Sequence, residues 1–88
     1  MAAVKVHIPT PLRSYTNQST VEADGATLAD LFADLERQYP GIRFRVINEQ
    51  DEIREHIKVF VNQSATDDLT APLKPGDDVR IITAISGG

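Results

Sequence analysis

The segment TLADLFADLERQYPG carries the most regular apolar pattern in this sequence. Thr27 can cap a first helical turn together with Asp30, and Pro40 followed by Gly41 would end the helix. The apolar side chains recur at i, i+3, i+4, i+7 and i+11, the spacing of one helical face, and are Leu28, Leu31, Phe32, Leu35 and Tyr39. The pattern predicts a helix at about residues 27 to 39 whose stripe packs into a core; a role in filling a partner's groove is the alternative.

Four short segments alternate apolar and polar residues, which is typical of strands with one buried face. They are VKVHI at 4 to 8, TVEA at 20 to 23, KVFVN at 58 to 62 and VRIITAI at 79 to 85. The proline-containing stretch PTPLRSYTNQS between the first two predicts a hairpin-like connection. Residues 42 to 57 begin with an alternation that the acidic NEQDE interrupts, so we expect an irregular segment with a loop near 48 to 53. Pro75, Gly76 and Asp77 predict a turn before the last strand.

This order of elements indicates an α+β domain in which one main helix packs on one face of a mixed sheet. If the strongly apolar first and last strands are both central, they lie side by side and parallel, as in the β-grasp (ubiquitin-like) fold. We expect a single domain over residues 1 to 85, followed by a flexible tail at 86 to 88.

Composition narrows the possible functions. The 88 residues are enough for one small core, which disfavours a self-contained enzyme with a large buried active site. A net charge of −4 with scattered basic residues makes nucleic acid an unexpected partner. The absence of cysteine and the wide separation of His7 and His56 argue against a metal site and against a nucleophilic catalytic set. No apolar run approaches the roughly 20 residues that span a bilayer, so no membrane association is expected and the cytoplasm is the expected location.

The sequence ends in ISGG, and two glycines let a backbone enter a channel too narrow for side chains. A partner that uses ATP to convert the Gly88 carboxylate to an acyl-adenylate would make its carbonyl carbon electrophilic, so that a sulfur or amine nucleophile could displace AMP. Sulfur attack would give a thiocarboxylate. The expected covalent site is therefore Gly88, with Gly87 needed for threading; a merely frayed end is the alternative.

Strand alternation also predicts an outer sheet face, opposite the helix, formed by Lys5, His7, Lys58, Phe60, Arg80, Ile82 and Ala84. Phe60 and Ile82 are large apolar residues on that face, and an exposed apolar patch rimmed by polar groups commonly marks an interaction site. We expect Phe60, Ile82, His7 and Arg80 to bind a partner, unless residues 42 to 57 fold under the sheet and cover the patch.

Several segments resemble the small sulfur-carrier family of ThiS, MoaD and CysO proteins. PLKPGDDVRIITAISGG is similar to the family's C-terminal signature, VFVNQ to its central strand and TLADLFADLERQYPG to its single helix. VHIPTPLRSYT is more similar to the CysO-type carriers of cysteine biosynthesis than to the molybdopterin synthase small subunit. Thr83, where many relatives carry proline, and the QSAT at 63 to 66, in place of a Gly/Asp-rich turn, are departures.

The resemblance implies a carrier that is the substrate of other enzymes rather than an enzyme. A ubiquitin-activating-like, ATP-dependent enzyme would adenylate Gly88, and sulfur loading would follow. No cofactor is expected to bind the carrier, because the activating partner uses the ATP. A cysteine synthase would accept the sulfur, with the molybdopterin synthase large subunit as the alternative acceptor.

Three other functions stay open at this point. The chain could serve molybdopterin or thiamine synthesis, or it could be a ubiquitin-like modifier that forms isopeptide bonds through Gly88. It could also be a β-grasp interaction module in which the Gly-Gly is accidental.

Overall fold

A computed structural model describes residues 3–83, which form one five-stranded sheet covered by helices. The strands are β1 (Ala3–His7), β2 (Thr20–Asp24), β3 (Ile57–Val61), β4 (Ser64–Thr66) and β5 (Asp78–Thr83). They lie in the order β2-β1-β5-β3-β4. The β1–β5 pair is parallel and the other neighbouring pairs are antiparallel. This is the predicted β-grasp arrangement, in which β1 and β5 are both interior strands.

The main helix, α2 (Leu28–Gln38), forms where the apolar stripe predicts it. The Thr27 hydroxyl oxygen accepts a hydrogen bond from the Asp30 backbone N–H at 3.2 Å, which is the expected N-terminal cap. Its stripe residues Leu28, Leu31, Phe32 and Leu35 are at most 1% exposed. The stripe therefore packs into the protein's own core and is not available to a partner's groove.

The strands supply the other side of this core. Their inward residues alternate with exposed ones, so the predicted parity of the strands is confirmed. The buried strand residues include Val4, Val6, Val21, Ala23, Ile57, Val59, Val79 and Ile81.

The connection between β1 and β2 contains helix, whereas the sequence predicts only a hairpin-like link. A 3₁₀ turn at Thr10–Leu12 leads into the one-turn helix α1 (Arg13–Thr16). Leu12 and Thr16, one helical turn apart, are both buried, and this anchors the segment to the core. Asn17 ends α1 in the left-handed region with φ 57°.

The segment expected to be irregular begins with a short helix, α3 (Ile42–Val46). Ile42 and Val46 point inward while Phe44 is 53% exposed, so the apolar i, i+4 pair determined the structure and the apparent strand alternation was misleading. The loop predicted near residues 48 to 53 is present and is closed by an Ile47–Ile53 bridge. Val46 and Ile47 are buried on the helical side of the sheet.

Strand β4 was not predicted, since its exposed sequence Ser-Ala-Thr has no apolar alternation. The two-residue turn at Asn62 and Gln63 folds it back onto β3, with φ of 52° and 82° at these positions. Positive φ at both central residues is the hairpin turn that matches strand twist.

The turn before β5 has the predicted form. Gly76 has φ 88°, and the Asp77 N–H donates to the Lys74 carbonyl oxygen at 3.0 Å. The predicted last two residues of β5, 84 and 85, lie outside the described residues, as does the boundary expected at residue 85. No helix within residues 3–83 is long and apolar enough to cross a membrane.

Candidate functional site

Strand β5, which precedes Gly87 and Gly88 in the sequence, lies at the centre of the sheet. It pairs with β1 through residues 78 to 80 and with β3 through residues 79 to 83. The last described residue, Thr83, lies opposite Ile57. Gly87 and Gly88 themselves, the expected covalent and threading residues, lie outside the described residues. The first half of β5 is thus paired on both sides, whereas its last described residues, up to Thr83, are paired with β3 alone.

The outer sheet face carries the side chains that strand alternation assigns to it. Phe60 lies opposite Arg80, and Lys58 lies opposite Ile82. Ile82 is 39% exposed and Phe60 is half-buried. Helix α3 packs against α2, on the other side of the sheet, so residues 42 to 57 do not cover Ile82. The seventh residue assigned to this face, Ala84, lies outside the described residues.

Phe60 and Ile82 form the apolar part of an open groove of about 470 Å³. Arg80 lines the same groove. Its remaining walls come from Asn62, Gln63 and Asp78, which sequence reasoning did not assign to the site. The sequence signal for this turn is the Asn-Gln dipeptide that follows a strand, because asparagine tolerates the positive φ of a two-residue hairpin turn.

A hydrogen-bond cluster fixes the polar end of this groove. The Asn62 side chain accepts from the Asp78 backbone N–H at 2.9 Å and donates to Asp77 Oδ1 at 3.0 Å. The hydrogen bond from Asn62, with that from the Lys74 backbone N–H, holds the pKa of Asp77 below its usual value. The turn is thereby tied to the start of β5.

His7 lies on the same face, at the end of β1, and is half-buried. Its Nε2 is 2.9 Å from Asp78 Oδ2, although the two residues are 71 positions apart in sequence. The imidazole is therefore engaged with a neighbouring strand, a contact that the sequence did not indicate.

Asp68, like Asp77, accepts hydrogen bonds within a turn. Asp68 accepts hydrogen bonds from the Thr70 hydroxyl and backbone N–H, and these lower the pKa of its carboxyl group. A carboxyl group with a lowered pKa is poorly suited to donate a proton near neutral pH. Within residues 3–83, no group of three histidine or acidic side chains could hold a metal ion.

Comparison with known proteins places the chain in a family. A model of the ThiS family matches residues 6–88. The sulfur carrier protein CysO of Mycobacterium tuberculosis is 35% identical over 91 residues, which cover 97% of this chain and 98% of that protein. The small archaeal modifier protein 3 of Haloferax volcanii is 32% identical over 68 residues, covering 74% of this chain and 73% of that protein.

A solved structure shows the same fold. A chain in the BexX/CysO complex of Amycolatopsis orientalis matches with a TM-score of 0.90 and 38% identity, over 98% of this chain and all of that one. This likeness confirms the β-grasp fold, and the family match spans both the groove residues and the Gly-Gly sequence. The chain therefore belongs to the ThiS family.

Proposed function

We propose that this protein is a sulfur carrier whose Gly88 carboxylate becomes a thiocarboxylate. The observation that carries the proposal is the family match, which extends from residue 6 through Gly87 and Gly88. The 35% identity to a CysO sulfur carrier over nearly the whole chain supports it. The chain contains no cysteine, so the reacting sulfur comes from another molecule.

The proposed chemistry has two steps, both catalysed by partners. A carboxylate oxygen of Gly88 attacks the α-phosphorus of ATP, and pyrophosphate leaves. A sulfur nucleophile such as hydrosulfide then attacks the carbonyl carbon of the acyl-adenylate and displaces AMP, which leaves the thiocarboxylate. The activating enzyme binds the ATP, and this chain supplies the carboxylate.

We propose that the sulfur enters cysteine biosynthesis, because the full-length relatives are CysO carriers. A cysteine synthase would then be the acceptor. Molybdopterin and thiamine synthesis are the alternative destinations within the same family.

Intact mass spectrometry tests the carrier function. The protein isolated from its own cells should include a species in which one oxygen is replaced by sulfur, localised to the peptide that ends at Gly88. Deleting Gly88, or adding a residue after it, should abolish this species. Ser86→Ala, which keeps both glycines, is the matched control. A chain without Gly88 that still gains sulfur would overturn the proposal.

The outer face gives the proposed docking surface for the activating enzyme, centred on Phe60 and Ile82 and flanked by His7 and Arg80. We predict that Phe60→Ala and Ile82→Ala each weaken binding by at least about 1 kcal/mol, as truncated apolar anchors do. Phe44→Ala is the control, because Phe44 is 53% exposed on the helical side. Titration calorimetry measures the affinities. Equal affinities for wild type and both face variants, at unchanged stability, would place the docking surface elsewhere.

Ubiquitin-like modification is a second candidate function. The 32% identity to small archaeal modifier protein 3 favours it. In that case the activated Gly88 carbonyl would form an isopeptide bond with a lysine amine of a target. Adducts with the mass of a second protein, lost when Gly88 is deleted, would identify this activity.

A further inference from the structure

A second groove opens where β5 reaches its last described residue. It lies between the chain after β1 and the end of β5, and we call it the exit groove; its walls include Pro9, Pro11, Arg13, Arg80, Ile82 and Thr83. The groove measures about 600 Å³. Because Thr83 lines it, a partner that receives residues 84 to 88 must approach its edge.

The charge of the exit groove is opposite to that of the whole protein. The chain has 13 acidic and 9 basic residues and a net charge of −4. The groove nevertheless has two arginines and His7 among its lining residues, and none of the lining residues in the described part of the chain is acidic. Such a local reversal of charge favours an anionic partner group.

Neither arginine of the groove is neutralised within residues 3–83. No carboxylate of this range lies within 4.0 Å of the Arg13 or Arg80 guanidinium nitrogens. Asp78, the acidic residue two positions before Arg80, is engaged by His7 at 2.9 Å. Both guanidinium groups thus retain donors for a ligand.

Arg13 is also held in place. Its Nε donates to the Ile8 carbonyl oxygen at 3.0 Å, which orients the side chain at the end of β1. An arginine that is already ordered loses less conformational entropy when its remaining donors bind a carboxylate.

Chain length separates this groove from the reacting group. Residues 84 to 88 span at most about 18 Å when fully extended. A tail that is inserted in extended form into a partner's channel therefore carries the Gly88 carboxylate, and any adenylate formed on it, away from Arg13 and Arg80. The anion that meets these arginines is then a group at the mouth of the partner's channel.

We propose that Arg13 and Arg80 bind carboxylate side chains in an acidic segment of the activating enzyme, at the rim of the channel that receives the tail. This inference rests on the proposed carrier function. It adds to the apolar docking surface a charged contact that determines which partner the tail enters. Arginine suits this role because its planar donors match a carboxylate in bidentate geometry.

The test uses the full-length protein and the enzyme that adenylates the wild-type chain with ATP. Dissociation constants are measured without ATP, so that nucleotide phosphate cannot supply the anion. Arg80→Glu and Arg13→Glu should each weaken binding at least about tenfold, and both should reduce the dependence of affinity on salt. Arg37→Glu is the matched control, because it changes the net charge equally at an exposed site on α2; its affinity should stay within about twofold of wild type.

Arg80→Glu keeps the test valid if Arg13→Glu, which loses the hydrogen bond to Ile8, does not fold. Unchanged affinity of Arg80→Glu, or an effect that appears only when ATP is present, would overturn the carboxylate assignment. In either case adenylation of the wild-type chain would leave the carrier function standing. If no enzyme adenylates the wild-type chain, the carrier function fails, and this inference fails with it.

Discussion

At the scale of single residues, Gly25 shows how closely the backbone of the turn after β2 approaches helix α2. A Cβ atom at position 25 would lie 2.5 Å from the backbone nitrogen of Leu31 and 2.8 Å from its Cα. Both are backbone atoms of a helix whose side chains fill the core, so they cannot move independently. Glycine is therefore required here by lack of space.

We predict that Gly25→Ala lowers the free energy of unfolding by about 1 to 3 kcal/mol, the usual cost of forcing an extra group into a packed site. Chemical denaturation measures the change. Gly76→Asn is the contrasting variant, because no atom lies within 4 Å of a Cβ at position 76 and asparagine tolerates positive φ. A Gly25→Ala protein as stable as wild type would show that α2 can shift away from the turn.

At the scale of elements, α3 depends on a carboxylate from another helix. Glu36, in α2, accepts hydrogen bonds from the backbone N–H groups of Gly41 at 2.9 Å and Arg43 at 3.0 Å. These bonds hold the pKa of Glu36 below its ordinary value of 4.5, and the bond from Gly41 has the largest effect. They satisfy donors that a helix five residues long would otherwise leave to water.

This cap should make stability depend on pH. Because the pKa of Glu36 is lower in the folded protein than in the unfolded chain, its contribution is complete above the unfolded value of about 4.5. It is lost as the pH falls through the folded value. We predict that Glu36→Gln flattens the acid side of the melting-temperature profile below about pH 5. Glu49→Gln, in the exposed loop, is the control; equal profiles for Glu36→Gln and wild type would contradict the prediction.

At the scale of the whole molecule, the two faces of the sheet differ: the inner face packs in the core, and the outer face is the proposed docking surface. Its inner face and α2 bury their apolar side chains almost completely, whereas Ile82 on the outer face is 39% exposed. Large apolar residues on the two faces therefore differ in their contribution to stability. Substitutions should be able to affect folding and binding separately.

We predict that Leu31→Ala or Leu35→Ala lowers the free energy of unfolding by about 2 to 5 kcal/mol, the range for leucines truncated in a packed core. Phe60→Ala and Ile82→Ala should each cost less, because both side chains retain contact with solvent in the folded protein. Urea unfolding of the four variants gives the comparison. A loss smaller than about 0.5 kcal/mol in either leucine variant would contradict the packing of α2.

Much of the site was predictable because strand alternation is a local property of the chain. Alternation alone put Phe60, Arg80 and Ile82 on one face, and the structure places them along one groove. Asn62 and Gln63 were missed because their place in the groove depends on a tight turn and on the pairing of β4 with β3. The roles proposed for Gly87 and Gly88 depend on family membership and on the chemistry of a carboxylate.

The sequence by itself determined the elements whose signals repeat within a few residues. These elements are the stripe of α2, the Thr27 cap, the strand parity and the Gly76 turn. Each depends only on the spacing or the backbone preferences of residues that are close together in the sequence. These features were enough to predict the β-grasp topology.

Tertiary structure decided the features that join distant segments. Glu36 caps α3 from another helix, β4 pairs although it has no apolar pattern, and His7 meets Asp78 across 71 positions. The exit groove likewise forms only when the parallel pairing of β1 and β5 brings Arg13 and Arg80 together. Contacts of this kind form only after the chain has closed around its core, so no local pattern in the sequence encodes them.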